Sequence, residues 1–372
     1  MLLRIDLKLL EPLTISGEAV VSNEIDTLEF IPGSALRGAF YHSLLQSAQT
    51  SRAEDFLGIR GPRWSPAWPL QNGDSLVPMS KAFLTDKRDP YGKTHGVLNG
   101  LHREPPGESP DGETLQWTRI RGRWLRIDGH GAAQGLGWIE FETGMHSGLH
   151  YERQANRTGA LFSRRKIKAG TQFSGYLQSD VAAEDWNSVF DGECFLGKRR
   201  SAGNGRATCN LAVGPPASWW GQAGGGEAVV QLMSDAVVRG PDGGYLRGLD
   251  TAAWSGLLGV PVNVKSAYSS FRPLKGWSAS WGATREAAIA IDAGSCWLLT
   301  SSDACFGGTL AQAQHVGIGI RRIEGFGWIA VNPPWLLKDT LQGFDAPSAA
   351  TIRGGPRTGP DSRPRIEPGC RV

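Results

Sequence analysis

The sequence predicts an α+β protein built from two tandem copies of one strand-rich unit, and three observations carry that reading. First, residues 197–205 (GKRRSAGNG) and 319–327 (GIRRIEGFG) both read G-x-R-R-x-x-G-x-G. Second, a short turn signature precedes each loop: Ala169-Gly170-Thr171 and Ala293-Gly294-Ser295 stand 27 and 25 residues ahead, glycine to glycine. Third, a strand-like segment follows each loop, "RATCNLAV" after the first and "WIAV" after the second.

The elements follow in chain order. Leu3, Ile5, Leu7 and Leu9 alternate with Arg4, Asp6 and Lys8, the period of a half-buried strand. In "FIPGSALRGAFYHSLLQSA", Pro32 and Gly33 punctuate a helix start and Ser34 is the expected N-cap. Leu36, Phe40 and Leu44 fall on one face of that helix. Residues 60–112 hold eight of the 22 prolines and little periodicity, which predicts a long irregular insertion. It is structured only if Trp64 and Trp68 dock on the body. Patterning resumes from Trp117 to Trp138, and strands return at "AGTQFSGYL". Ala207, Cys209, Leu211 and Val213 alternate, so Cys209 reads as core. The expected division is a first domain over 1–213, a linker over 214–226 and a second domain over 227–344. A disordered Pro/Gly/Arg-rich tail over 345–372 completes it.

Bulk properties narrow the function classes. An apolar fraction of 40% and 14 tryptophans exclude a mostly disordered chain, and a net charge of +3 excludes a polycation. Five cysteines with no CxxC do not make a disulfide framework, and no HExxH is present, so neither metal nor cofactor is expected. The N-terminal "MLLRIDLKLLEP" lacks the pattern of a signal peptide. No apolar run approaches eighteen residues, which predicts no membrane contact and a cytoplasmic location.

Charge is concentrated locally. Residues 153–168 carry Arg153, Arg157, Arg164, Arg165, Lys166 and Lys168 without one acidic residue. Residues 197–206 add Lys198, Arg199, Arg200 and Arg206, again with none. Guanidinium forks suit phosphates, and glycine lets a polyanion approach the bare backbone. The alternative is that Gly203, Gly205, Gly325 and Gly327 only serve tight turns beside a solvated rim. Neither a phosphate-loop nor a dinucleotide-loop spacing is met. Tyr151, among polar neighbours, is the candidate ring for stacking on a base, while Phe162 and Phe173 read equally as core. His146 and His150, four apart, would share one face of a helix. They and His42 are candidates for acid–base work on a 2′-hydroxyl, and Asp26 for metal-assisted hydrolysis. Polar roles without chemistry remain open for all four.

"IPGSALRGAF" at 31–40, the segment "HYERQANRTGALFSRRKIKAGTQFSGYL" and the twin loops together resemble the RAMP superfamily of CRISPR effector proteins. The order and spacing are most similar to the two-unit subunit of type III-D systems grouped with the fifth Cas family. The resemblance implies tandem ferredoxin-like domains, related to the RNA-recognition module, with glycine-rich loops lying against RNA. Matched positions are Ile31, Pro32, Gly33, Ser34, Arg37 and Gly38 in the N-terminal signature. Gly197, Arg199, Arg200, Gly203, Gly205 and Arg206 match in the first loop, and Gly319, Arg321, Arg322, Gly325 and Gly327 in the second. It further implies a non-catalytic subunit that holds the 5′ repeat-derived tag of the guide RNA (crRNA) and caps a filament of backbone RAMP subunits. Contact with the large polymerase-like subunit, and indirect contact with target RNA, follow from the same resemblance. The alternatives are a metal-independent endoribonuclease acting on guide precursors, and a purely structural scaffold. The second loop departs from the first, with Trp328 where Arg206 stands and with Glu324 and Phe326 inside it. The first loop is therefore expected to be the stronger RNA contact and the second to be more structural.

Overall fold

The computed structural model describes residues 1–15, 24–46, 56, 61–109, 112–150, 155–181, 183–190, 192–197, 203–214, 218–222, 224–278 and 282–345. Strand β1 (Leu2–Leu9) buries Leu3, Ile5, Leu7 and Leu9 and turns Arg4, Asp6 and Lys8 the other way, as the alternation predicts. Helix α1 (Gly33–Gln46) buries Leu36, Phe40 and Leu44 completely. Phe40 packs among Phe56, Trp64 and Trp186, with ring centroids 4.6–5.6 Å away. The helix starts two residues earlier than Ser34 capping requires, since the Pro32 carbonyl already accepts the Ala35 and Leu36 amides. Packing sets that start. A Cβ on Gly33 would lie 2.8 Å from the Gly325 Cα, so backbone meets backbone there.

Strands β2 (Trp68–Gln71), β3 (Phe141–His150), β4 (Ala155–Ile167) and β5 (Gln172–Gln178) follow, then α2 (Ala183–Phe190) and β6 (Arg206–Val213). β1 lies between β5 and β6, antiparallel to both, and β2 pairs with β5. The second half supplies β7 (Glu227–Leu232), α3 (Thr251–Leu258), β8 (Asn263–Tyr268), β9 (Cys296–Thr300), α4 (Phe306–Val316) and β10 (Ile329–Val331). There β7 lies between β9 and β10, and β8 pairs with β9. Both halves thus place their first strand between two later antiparallel partners and build a mixed α/β, antiparallel arrangement. That arrangement is consistent with RNA-recognition and ferredoxin-like modules in general.

Among the described residues of 60–112 the chain is only partly irregular. They contain β2 and the short strands Arg63–Trp64, Asp74–Pro78, Phe83–Asp86 and Val97–Asn99. Strands of two to five residues are too brief to show a period, and their partners are remote: Asp74–Pro78 pairs with Trp124–Ile127. Trp64 and Trp68 do dock in the core. Within 214–226, buried Trp219 packs edge-on against Trp68 and Tyr176 at 5.7 and 6.0 Å. Residues 346–372 lie outside the described residues.

One face of the second sheet (Val229, Leu298, Ala330) joins the core of the first half. The opposite face (Val230, Trp297, Leu299, Ile329) packs on Trp254 of α3 and Leu310 of α4. Gln231 tethers the halves, donating to the Pro78 carbonyl at 2.9 Å while its own carbonyl accepts from Trp335 Nε1 at 3.0 Å. Among the described residues no helix is long and apolar enough to cross a membrane.

Candidate nucleic-acid interface

The twin loops are built on matching hydrogen bonds. The Gly205 amide donates to the Pro12 carbonyl (2.9 Å) and the Gly327 amide to the Asp235 carbonyl (2.8 Å). Pro12 follows the end of β1, Leu9, by three residues, as Asp235 follows the end of β7, Leu232. Leu196 donates to Gly205 O and Ile318 to Gly327 O, at 2.8 and 2.9 Å. The turn signatures match as well, with Gly170 donating to Leu9 O and Gly294 to Leu232 O at 2.8 and 2.7 Å. Even the hairpins correspond: Leu13 donates to Ile167 O, and Ala236 to Ile291 O, both at 2.9 Å.

This scaffold explains the glycines. A Cβ on Gly197 would lie 2.4 Å from Thr14 O, and one on Gly319 2.3 Å from Val237 O. On Gly205 and Gly327 it would lie 1.9 and 2.0 Å from Leu196 O and Ile318 O. Gly203 differs, having φ of +68° but open space around it. We expect Gly205→Ala and Gly327→Ala to lose about 3–5 kcal/mol each, from backbone overlap added to left-handed strain. Gly203→Ala, with strain alone, should lose about 1–2 kcal/mol. Urea unfolding of the three variants checks this, and equal losses would show that φ alone selects glycine.

In the second loop the cations are engaged by the protein. Arg321 donates from Nη2 to Glu324 Oε2 at 2.7 Å and lies 4.9 Å over the Phe326 ring. Arg285 reaches the same carboxylate at 2.5 Å. Burial alone would raise the Glu324 carboxyl, but the Arg321 hydrogen bonds and the charges of Arg321 and Arg285 hold it below the usual range. Gly325 packs on Gly33, bringing the second loop onto the N-terminal signature. Trp328 is fully buried and donates from Nε1 to Trp64 O at 3.2 Å. Arg322 alone of this loop's arginines is exposed, donating from Nη1 to Val316 O at 3.3 Å. In the first loop, Arg206 pairs with Glu11 at 3.4 Å and Glu193 at 3.6 Å. Lys198, Arg199 and Arg200 lie outside the described residues.

The basic segment of β4 is acid-free in sequence but not in space. β3 pairs with it so that Glu142 faces Lys166, and the two side chains meet at 3.8 Å. Lys168 holds Glu140 at 2.6 Å, and that hydrogen bond raises the Lys168 ammonium above its usual value. Arg165 is buried, pairs with Asp26 at 3.3 Å and Glu29 at 4.0 Å, and sits 3.4 Å over the Phe141 ring. Its role is to anchor the hairpin. Arg164 stacks on half-buried Phe162 at 5.7 Å, while Phe173 and Cys209 are core.

Asp26 also accepts the Thr27 amide at 2.8 Å, so its carboxylate is committed to the hairpin joint. His146 and His150 lie in β3, not on a helix. Four residues of strand span about 13 Å, and the register shifts between Ser147 and Leu149, so the spacing of a helix face does not apply to this pair. The side chains of His146, His150 and Arg157, and all of Tyr151 and Arg153, lie outside the described residues. Arg37 and His42 are half-buried on α1, and Gly38 there has open space beside it. Among the described residues no group of three His, Cys, Asp or Glu is placed to hold a metal ion.

No family model matches the sequence, and no curated protein matches it. Among solved structures, a type III-B Cmr-beta complex bound to cognate target RNA is 14% identical, with a TM-score of 0.45 over 79% of this chain and 86% of that one. A RAMP protein binding different RNA substrates is 11% identical, with a TM-score of 0.34 over 89% and 99%. A Cas6 product complex is 11% identical, with a TM-score of 0.39 over 89% and 99%. At these values the likenesses assign no function to this chain.

Proposed function

We propose that this chain is a non-catalytic guide-RNA-binding subunit of a type III CRISPR effector complex, made of two ferredoxin-like units over 1–213 and 227–344. The supporting observation is the contrast between its twin loops. They share one hydrogen-bonded scaffold, yet the second is engaged as an internal joint through Glu324, Gly325 and Trp328. The first keeps Lys198, Arg199 and Arg200, with no acidic residue between 197 and 206, as the site for a polyanion. In the complex the subunit holds the 5′ repeat-derived tag, caps the backbone RAMP filament and meets the polymerase-like subunit in the cytoplasm. The ribonuclease alternative gains nothing from Asp26, whose carboxylate is taken up by Arg165 and the Thr27 amide.

Filter binding of single-stranded RNA across a salt series tests the reading. A steep loss, nearly independent of sequence, is expected as counterions return to the phosphates. A flat salt response from folded protein rejects RNA binding through phosphate. Guide precursor recovered intact supports the non-catalytic form, and its cleavage would transfer the function to the ribonuclease.

A further inference from the structure

An unbalanced positive charge sits where the two halves meet. Arg63 opens the short strand Arg63–Trp64, which pairs with Leu177 and Gln178 of β5. Its Nη1 donates to Gln178 Oε1 at 3.0 Å and to the His315 carbonyl in the last turn of α4. The guanidinium lies 4.4 Å over the Trp328 ring, and its Nε and Nη2 are buried without a hydrogen-bond partner. Arg322 caps the same helix end through the Val316 carbonyl. Among the described residues, the oxygens these two arginines meet are all neutral. A helix C-terminus contributes about half a negative charge, against two full positive ones. Burial, and then the Arg322 charge, push the Arg63 guanidinium down to about 9. A guanidinium resists deprotonation, so a counter-charge is the accessible relief.

The structure provides a place for one. An open groove of about 420 Å³ runs between α3 and α4, with Arg322, Gly317, Gly319 and Gln312 among its lining residues and Arg239 also on its wall. Arg239 is already matched, meeting Glu286 at 3.4 Å and Tyr245 at 3.0 Å. The wall between groove and Arg63 is thin, because a Cβ on Gly317 would lie 2.4 Å from Arg63 Nη2. We propose that the Arg322 end of this groove binds a phosphate-class oxyanion, with Arg322 touching it and Arg63 supplying field from behind Gly317. Aryl and carbonyl neighbours position the second arginine but cannot neutralise it; an oxyanion can. The site stands whether the phosphate belongs to RNA or is free in solution.

Thermal melting of the full chain in sodium phosphate, against sodium chloride at matched ionic strength, tests the site. Wild type should gain several degrees in phosphate over chloride. Arg63→Met keeps the bulk on Trp328 and removes the charge. It should melt at or above wild type in chloride, because an unpaired buried cation is relieved, and lose most of the phosphate gain. Arg322→Gln, at an exposed position, should lose the gain without a change in chloride. No phosphate-specific gain in wild type, or an undiminished gain in both variants, overturns the site. Arg63→Met melting lower by the same amount in both salts would likewise reduce Arg63 to a helix cap. RNA binding then separates the sources. A roughly tenfold weaker affinity for RNA in Arg322→Gln, with a salt slope lower by about 0.7, assigns the oxyanion to the strand. Unchanged RNA binding beside a lost phosphate gain assigns it to free phosphate. Absent RNA binding in wild type with the phosphate gain intact would sink the guide-RNA reading and leave this site standing.

Discussion

Trp328→Ala is expected to lower the unfolding free energy by about 3–5 kcal/mol, the range for a buried aromatic removed from a core. The residue is completely buried and supports both halves. Arg63 lies on its face at 4.4 Å, Trp220 meets it edge-on at 6.5 Å, and Nε1 donates to Trp64 O. Truncation leaves a cavity, an unpaired buried carbonyl and a guanidinium without its platform, and these effects act together. Trp328→Phe keeps most of the area and loses the hydrogen bond, so about 1–2 kcal/mol is expected. The equivalent position in the first half is Arg206, a half-exposed ion pair with Glu11 and Glu193. Arg206→Ala should lose less than about 1 kcal/mol. Urea unfolding of the three variants reads this directly. Comparable losses from Trp328→Ala and Arg206→Ala would mean that the second loop is no more a joint than the first.

Local pattern was legible wherever one face alone is buried. Leu3 through Leu9 announce β1 because Arg4, Asp6 and Lys8 take the opposite side, and Leu36, Phe40 and Leu44 announce the buried face of α1. The repeat was legible because each end glycine answers a fixed carbonyl: Gly205 to Leu196, Gly327 to Ile318. Pairing in space was not. Glu142 opposes Lys166 through a hairpin register that no charge count along 153–168 can reveal, and Asp26 reaches Arg165 across 139 positions. Short strands such as Arg63–Trp64 fix large consequences with two residues and no period. β7 shows no alternation of buried and exposed residues from Ala228 to Leu232 because both of its faces are covered, one by the first half and one by α3 and α4. Arg63 carries no local signal: its surroundings come from Trp328 and the end of α4, both more than 250 positions away.

Arg199→Ala combined with Arg200→Ala is expected to weaken RNA binding about 30- to 150-fold, from two charge-assisted contacts at about 1–1.5 kcal/mol each. The salt slope should fall by about 1.4, the share of two phosphates on a single strand. Melting should be unchanged, the result expected of cations that serve a ligand rather than the fold. Arg321→Ala combined with Arg322→Ala should behave in the opposite way. Arg321 is held by Glu324 and Phe326, so at most the Arg322 contact is lost and the slope falls by no more than about 0.7. Melting should drop, since half-buried Glu324 keeps only Arg285 as its cation and the contact of Gly325 with Gly33 loses its support. RNA affinity, salt slope and melting measured on both double variants decide between a division of labour and an equivalence. Equal affinity losses with unchanged melting would make the two loops interchangeable RNA contacts, and no affinity loss from either would leave both arginine pairs as a solvated rim.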